Sequence, residues 1–149
     1  MRINICSNSE IHVRFYFMEK SYKFDVKIYY EDTDAGGVVY YANYLKFTER
    51  ARSEMIYEVL GLKHKELKEK FNVIFVVTAI NAKYLKSAKF EDNITVITNI
   101  LKSSAVRLTL KQDIKIKDTL LFTSEVELAV VKGNGSIQKL PKELLSKIN

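Results

Sequence analysis

Apolar and polar residues alternate along residues 22–29, and a period of two predicts a strand with one buried face. The apolar positions of this first strand are Tyr22, Phe24, Val26 and Ile28. The same alternation returns three times in the second half of the chain. Those predicted strands cover 93–101, 106–117 and 120–130. Because short turns join them, we expect these three to be antiparallel neighbours.

From about residue 41 to residue 60 the apolar positions recur every three or four residues, which predicts an amphipathic helix. Its apolar stripe consists of Tyr44, Phe47, Ala51, Met55 and Val59. We expect this stripe to pack in the core, and Gly61 is a suitable residue to end the helix.

The remaining elements are shorter. A second helix is predicted at 64–71, where Glu66 and Lys70 can pair, and a third at 142–147, opened by Pro141. The continuous apolar run at 73–77 predicts a strand buried on both faces, which extends to Tyr84.

A strand, a long helix and then a meander of strands predict an α+β fold with an antiparallel sheet. The length of 149 residues fits one domain. We place that domain at 21–149 and interpret 1–20 as an N-terminal extension. Met18 is our candidate for the natural start, which the intact mass of the native protein would test.

The turn between the first strand and the long helix carries the densest chemistry. Glu31, Asp32 and Asp34 lie within four residues and are followed by Gly36 and Gly37. A carboxylate beside a helix N-terminus can serve catalysis, because that end holds developing negative charge. Acidic residues before helices are also common as caps, and on these residues alone a solvated acidic turn is the favoured interpretation.

A longer motif changes that balance. The sequence Tyr-Glu-Asp-Thr-Asp-Ala-Gly-Gly-Val-Val-Tyr at 30–40 continues with Asn-Tyr at 43–44 and Glu-Arg-Ala-Arg-Ser-Glu at 49–54. This series resembles the signature of the YbgC branch of the 4-hydroxybenzoyl-CoA thioesterase family, and the likeness extends over roughly 22–141. It implies a hot-dog fold, in which an antiparallel sheet wraps the long helix, and it implies hydrolysis of acyl-CoA thioesters.

The resemblance also implies roles for individual residues. Asp34 would be the catalytic carboxylate, acting either as nucleophile or as general base, and the sequence leaves both open. The backbone N–H of Tyr41 would polarise the thioester carbonyl, although many relatives have histidine at this position. Gly37 and Val38 are assigned to substrate binding. Glu49 is a second candidate for the catalytic carboxylate, since some hot-dog thioesterases place it on the helix.

The formal net charge of +6 favours anionic partners. We assign the excess of basic residues to the phosphates of coenzyme A, with candidates Lys83, Lys86, Lys89 and Arg107. The lysines are scattered, so we predict no nucleic-acid binding.

Cysteine and histidine add little chemistry. The single cysteine, Cys6, cannot form an internal disulfide and suits the cytoplasm. His12 and His64 lack partners at metal-ligand spacing, and we predict neither a metal nor any other cofactor. No apolar run reaches membrane-spanning length, so we expect a soluble protein.

Two function classes stay open, an acyl-CoA thioesterase and a non-catalytic hot-dog protein that binds an acyl chain or a partner. A hot-dog dehydratase is disfavoured because neither histidine is near the Asp34 turn. The resemblance implies a homo-oligomer, a dimer or homotetramer, with active sites at the dimer interface. It also makes acyl carrier protein a candidate partner.

Overall fold

The computed structural model describes residues 20–149, so Met18 and the rest of the predicted extension lie outside the described residues. The strands are β1 (Ser21–Lys27), β2 (Ile74–Tyr84), β3 (Asn93–Ser103), β4 (Arg107–Ile116) and β5 (Thr119–Val131). The helices are α1 (Asn43–Leu60), α2 (His64–Phe71) and α3 (Lys142–Ile148). A 3-10 turn at Tyr30–Asp32 follows β1.

The five strands form one antiparallel sheet in the order β1-β3-β4-β5-β2. The prediction of an antiparallel α+β fold with a long helix is therefore confirmed. The predicted meander is correct for β3, β4 and β5 but wrong for β2, which pairs with β5 at the far edge. The connection 85–92 is long enough to carry the chain from that edge to β3.

Strand β2 also differs from its predicted burial. The apolar run at its start predicts burial on both faces, yet most of the strand is exposed, including Val77 at 45% and Ile80 at 40%. An apolar run indicates that a surface is to be covered, but it does not say that the same chain covers it. The strand lies at an edge, with one side unpaired within 20–149.

Helix α1 packs its apolar stripe against the concave face of the sheet. Tyr44, Phe47, Ala51 and Met55 are buried as predicted. Gly61 ends the helix with a left-handed backbone, φ 71°, which glycine adopts without strain. The N-terminal half of α1 packs with Ile28, Ile114 and Phe122, and the C-terminal half packs with Leu108, Leu128 and Leu144.

A polar layer lies between these two halves of the core, and the sequence patterns did not reveal it. Gln112 on β4 is fully buried; its Nε2 donates to the carbonyl of Thr48 (3.0 Å) and to Thr98 Oγ1 (2.9 Å). Its Oε1 accepts a hydrogen bond of 2.9 Å from Arg52. Burial lowers the pKa of Arg52, and nearby Glu49 opposes that shift. One amide side chain thus ties α1 to two strands.

We predict that Gln112→Met lowers the free energy of unfolding by about 2–3 kcal/mol, because it leaves the buried Arg52 and the Thr48 carbonyl without their partner. Urea denaturation would measure the loss. The matched control is Gln138→Met, because Gln138 is only partly buried and donates one hydrogen bond, to Phe71 O. We expect that control to lose under half as much, and equal losses would contradict the role given to Gln112.

Candidate active site

The turn after β1 is built by two of its own side chains. The Asp32 carboxylate accepts the N–H of Tyr29 at 2.9 Å, and the Thr33 hydroxyl donates to the carbonyl of Tyr30 at 2.8 Å. The Asp32 carbonyl in turn accepts the N–H of Tyr40 and the side-chain amide of Asn43, each at 2.9 Å. Asp32 is therefore a structural residue that joins the turn to the start of α1.

Asp34 lies at the tip of the loop that follows. Its Oδ1 accepts the N–H of Gly36 at 2.8 Å, while its own backbone bonds to Val38 O (2.9 Å) and Gly37 N (3.0 Å). Within residues 20–149 its Oδ2 has no hydrogen-bond donor, and the side chain is exposed. One carboxylate oxygen is thus fixed by the loop and the other is available to a ligand.

The two glycines of this loop have different structural roles. Gly37 has φ +77°, a left-handed conformation that side chains disfavour. A Cβ on Gly36 would come within 3.0 Å of Asp34 Oδ1, closer than ordinary contact. Gly36 therefore makes room for the carboxylate, and Gly37 allows the turn.

The loop is held against the connection that follows β2. Val39 N donates to Ala88 O at 2.9 Å, and Val38 forms an isolated bridge with Lys89. Ala88 N donates to the hydroxyl of Tyr44 at 2.9 Å, so a residue of α1 fixes the same segment. The Asp34 loop, the 86–89 segment and the start of α1 form one unit.

Free backbone donors lie at the start of α1. The N–H groups of Tyr41 and Ala42 have no acceptor within residues 20–149, and Ala42, the N-cap, has no side-chain cap. These N–H groups and the positive end of the helix macrodipole lie beside the Asp34 loop. Asp34 and Tyr41, which carry the carboxylate and one of these donors, border the same space.

That space is a cavity of about 340 Å³ whose wall includes four tyrosines. Its lining residues are Asp34, Val38, Val39, Tyr40, Tyr41, Tyr44, Tyr84, Leu85, Lys86 and Ser87. The Tyr44 ring stacks on Phe122 with centroids 5.5 Å apart, and the hydroxyl of Tyr84 donates to the Tyr41 carbonyl at 3.2 Å.

Burial raises the pKa of both Tyr44 and Tyr84 above the ordinary tyrosine value. Both hydroxyls are therefore protonated at neutral pH. The Tyr44 hydroxyl uses a lone pair to accept the Ala88 N–H, so its proton is free to donate into the cavity.

The structure brings together most of the predicted site residues. Asp34, Val38, Tyr41 and Lys86 line the same cavity, Gly37 shapes its loop, and Lys89 lies against Val38. The lining residues missed from the sequence are Val39, Tyr40, Tyr44, Tyr84, Leu85 and Ser87. Tyr44 fits the apolar stripe of α1, and that pattern does not reveal where its hydroxyl points.

Lys83 and Arg107 do not reach this cavity. Tyr84 faces the cavity, so its neighbour Lys83 points to the opposite face of β2, where it lines a separate cavity of about 200 Å³. Arg107 pairs with Ala129, whereas Tyr84 pairs with Phe122 much further along β5. The guanidinium of Arg107 forms an exposed ion pair with Glu127 at 3.8 Å.

Glu49 lies elsewhere on α1. It accepts a hydrogen bond of 3.1 Å from Ser53 and lines a cavity of about 110 Å³ that includes Arg52 and His64. Within one chain, the two candidate carboxylates therefore belong to different cavities.

Two further features of the described residues bear on function. No cluster of three or more potential ligands among residues 20–149 could hold a metal ion. None of the helices in the same range has the length and apolar character needed to cross a membrane.

A five-stranded antiparallel sheet around a long helix, with a carboxylate loop at the helix N-terminus, defines the hot-dog class of thioesterases. A probable thioesterase from Bartonella henselae superposes with a TM-score of 0.78 at 30% identity, covering 82% of this chain and all of the other. A 4-hydroxybenzoyl-CoA thioesterase, solved with 4-hydroxybenzoyl-CoA, superposes with a TM-score of 0.79. At 14% identity it supports the fold alone.

Sequence similarity places the chain more narrowly. Residues 28–148 match the model of the Thioesterase-like superfamily. The acyl-CoA thioesterase YbgC of Haemophilus influenzae is 34% identical over 85% of this chain and 93% of its own length. The YbgC of Helicobacter pylori strain J99 is 36% identical over 82% and 98%. The chain belongs to the YbgC family of acyl-CoA thioesterases, as the motif at 30–54 predicts.

We predict that Gly37→Ala lowers the free energy of unfolding by about 1–2 kcal/mol, because alanine is strained at positive φ. Thermal or urea unfolding would measure it. Gly133→Ala is the control, since its Cβ would meet only Asn72 Oδ1 at an ordinary 3.5 Å and its φ is not left-handed. A cost at Gly133 equal to that at Gly37 would contradict the conformational argument.

Proposed function

We propose that the chain hydrolyses acyl-CoA thioesters at the Asp34 cavity, with Asp34 as the catalytic carboxylate. The observation that supports this is that Asp34 and Tyr41 line one cavity, and that Asp34 Oδ2 and the Tyr41 N–H have no hydrogen-bond partner among residues 20–149. A thioester carbonyl placed between them would meet a base or nucleophile on one side and a hydrogen-bond donor on the other.

Two routes fit this arrangement. In one route Asp34 attacks the carbonyl carbon, the C–S bond breaks with release of the coenzyme A thiolate, and water hydrolyses the resulting mixed anhydride. In the other, Asp34 removes a proton from the attacking water, and the tetrahedral intermediate expels the thiolate, which takes up a proton. In both routes the oxygen of the tetrahedral intermediate accepts the Tyr41 N–H. A donor of this kind contributes about 3 kcal/mol to the transition state in other acyl-transfer enzymes.

The coenzyme A phosphates are assigned to the lysines nearest the cavity. Lys86 lines it, and Lys89 lies against the loop through Val38. Lys83 and Arg107 face other surfaces of this chain, so they could contact the same ligand only from a second subunit. An acyl group on acyl carrier protein presents a similar thioester arm, and that protein is the second candidate donor.

We also propose that β2 pairs with a second copy of this chain. Among residues 20–149 one edge of the strand is unpaired, and its apolar side chains at Val76, Val77 and Ile80 are exposed. Exposed apolar edges favour association, and a symmetric copy presents the same edge. Such a dimer, by itself or paired into a tetramer, would bring a second subunit close to the Glu49 cavity, which Phe75 and Val77 of β2 line. We also propose that the thioesterase acts in the cytoplasm.

Asp34→Asn keeps the size of the side chain and its Gly36 hydrogen bond but removes the negative charge. We expect turnover of acyl-CoA to fall by about a hundredfold or more, because neither nucleophile nor base remains. Thiol release from a panel of acyl-CoA esters, read at saturating substrate, would measure this.

Two variants serve as controls. Asp32→Asn retains an oxygen for the Tyr29 N–H, so its turnover should fall much less. Glu49→Gln removes the other candidate carboxylate, and we expect it to retain most activity. If Glu49→Gln abolished turnover and Asp34→Asn did not, the assignment of Asp34 would be wrong. If all three matched the wild type, the loop would be an acidic cap.

The proposed dimer predicts that Ile80→Lys shifts the assembly towards monomer, because the ammonium group cannot be buried in an apolar contact without a partner. Light scattering at micromolar concentration would detect the change. The control is Ile137→Lys, which alters an isoleucine that is 73% exposed outside the sheet. A wild-type monomer with full activity would contradict the proposed assembly.

A further inference from the structure

Two aromatic rings stack on the surface beside the Asp34 loop. The centroids of Tyr30 and Phe90 are 3.9 Å apart and their planes differ by 19°. Tyr30 is 76% exposed and Phe90 36%, so the pair presents an aromatic surface to solvent. Neither residue lines the 340 Å³ cavity, and the proposed reaction does not use them.

The pair is held by a constrained backbone. Phe90 lies in a turn closed by the Asp92 carboxylate, which accepts the N–H of Lys89 at 2.7 Å. Glu91 in that turn has φ +66°, a strained conformation for a residue with a side chain. Its N–H donates to Ile28 O at 3.1 Å, which joins the turn to the end of β1 next to Tyr30. Hydrogen bonds of the backbone therefore hold the two rings on neighbouring segments.

The pair lies within reach of the reaction centre. Tyr30 precedes Asp34 by four residues, so their Cα atoms are at most about 14 Å apart. On the other side, Phe90 follows Lys89, which bridges to Val38 in the cavity wall. The extended pantetheine arm of coenzyme A can span such a distance between its thioester and its nucleotide.

The charges around the pair suit a phosphorylated ligand. Lys86 lines the cavity, Lys89 precedes Phe90 in the chain and bridges to Val38, and Lys27 lies over the ring of Tyr29 next to Tyr30. The carboxylates of Asp32 and Asp92 are engaged by backbone N–H groups. Glu31 and Glu91 are exposed at the rim, where solvent screens them.

We propose that the Tyr30–Phe90 pair is the stacking surface for the adenine ring of the coenzyme A ester. Any nucleobase can stack with its π-face on an aromatic ring, and lysines bind the adjacent phosphates. The proposal rests on the proposed thioesterase function. It adds the recognition of the nucleotide end of the substrate, on a residue whose Cα lies at most about 14 Å from the Cα of Asp34.

Two measurements test it. Titration calorimetry with adenosine 3′,5′-bisphosphate should show binding that is weaker by about tenfold or more for Tyr30→Leu and Phe90→Leu than for the wild type. Tyr30→Trp should retain the wild-type affinity. In turnover assays, the leucine variants should raise KM for the best acyl-CoA of the panel and leave kcat unchanged. They should leave both constants unchanged for the matching acyl-pantetheine, which has no adenine.

The control is Tyr57→Leu, because Tyr57 is a similarly exposed tyrosine on α1 beside Lys63. Wild-type protein that does not bind the nucleotide, or leucine variants that bind it as the wild type does, would overturn the proposal. So would equal changes in KM for both thioesters, or a loss of oligomers in the variants. A wild type that releases no thiol from either thioester would instead overturn the proposed function. In that case the titration would still test whether the aromatic pair binds the nucleotide.

Discussion

The position of α1 on the sheet depends on the buried side chain of Gln112. Its amide donates to the helix backbone at Thr48 and to Thr98, and its oxygen accepts from Arg52. Apolar burial is non-directional, whereas a buried amide needs its partners at defined positions and costs about 1–3 kcal/mol when it lacks one. This constraint fixes the helix along its axis and therefore fixes the place of its N-terminus.

The N-terminus of α1 must be fixed because the site combines groups from three segments. The helix start supplies the Tyr41 N–H, the loop supplies the Asp34 carboxylate, and the 86–89 segment closes the wall. Tyr44 connects the helix to the third segment through Ala88, and Asn43 connects it to the loop through Asp32. A displacement of one part would separate the carboxylate from the donors, and catalysis is sensitive to errors of about 1 Å.

The periodicity of the sequence predicts the helices and strands of this fold well, but it predicts less well which strands pair. The stripe of α1 and the alternation of β4 are set by contacts near in sequence, so the pattern carries them. The pairing of β2 with β5 depends on contacts between distant segments, which no local pattern records. Gln112 did leave a signal, because it is a polar residue at a buried position of β4, between Leu110 and Ile114. The loop motif predicts Asp34 and Tyr41, but only the fold shows which tyrosines line the cavity.

Lys83 and Arg107 lie away from the Asp34 cavity for different reasons, Lys83 because of its strand face and Arg107 because of its position along the sheet. Nearness in sequence to a functional segment does not determine which face of a strand a side chain occupies. Tyr84 and Lys83 are adjacent, yet alternation places the tyrosine in the cavity and the lysine on the other face. In the same way, the apolar run of β2 indicates a surface to be covered, and in one chain it remains an edge. In the proposed dimer, the chain that pairs with this strand would complete the site beside the edge, and the basic residues that one chain turns away would then be available to its neighbour.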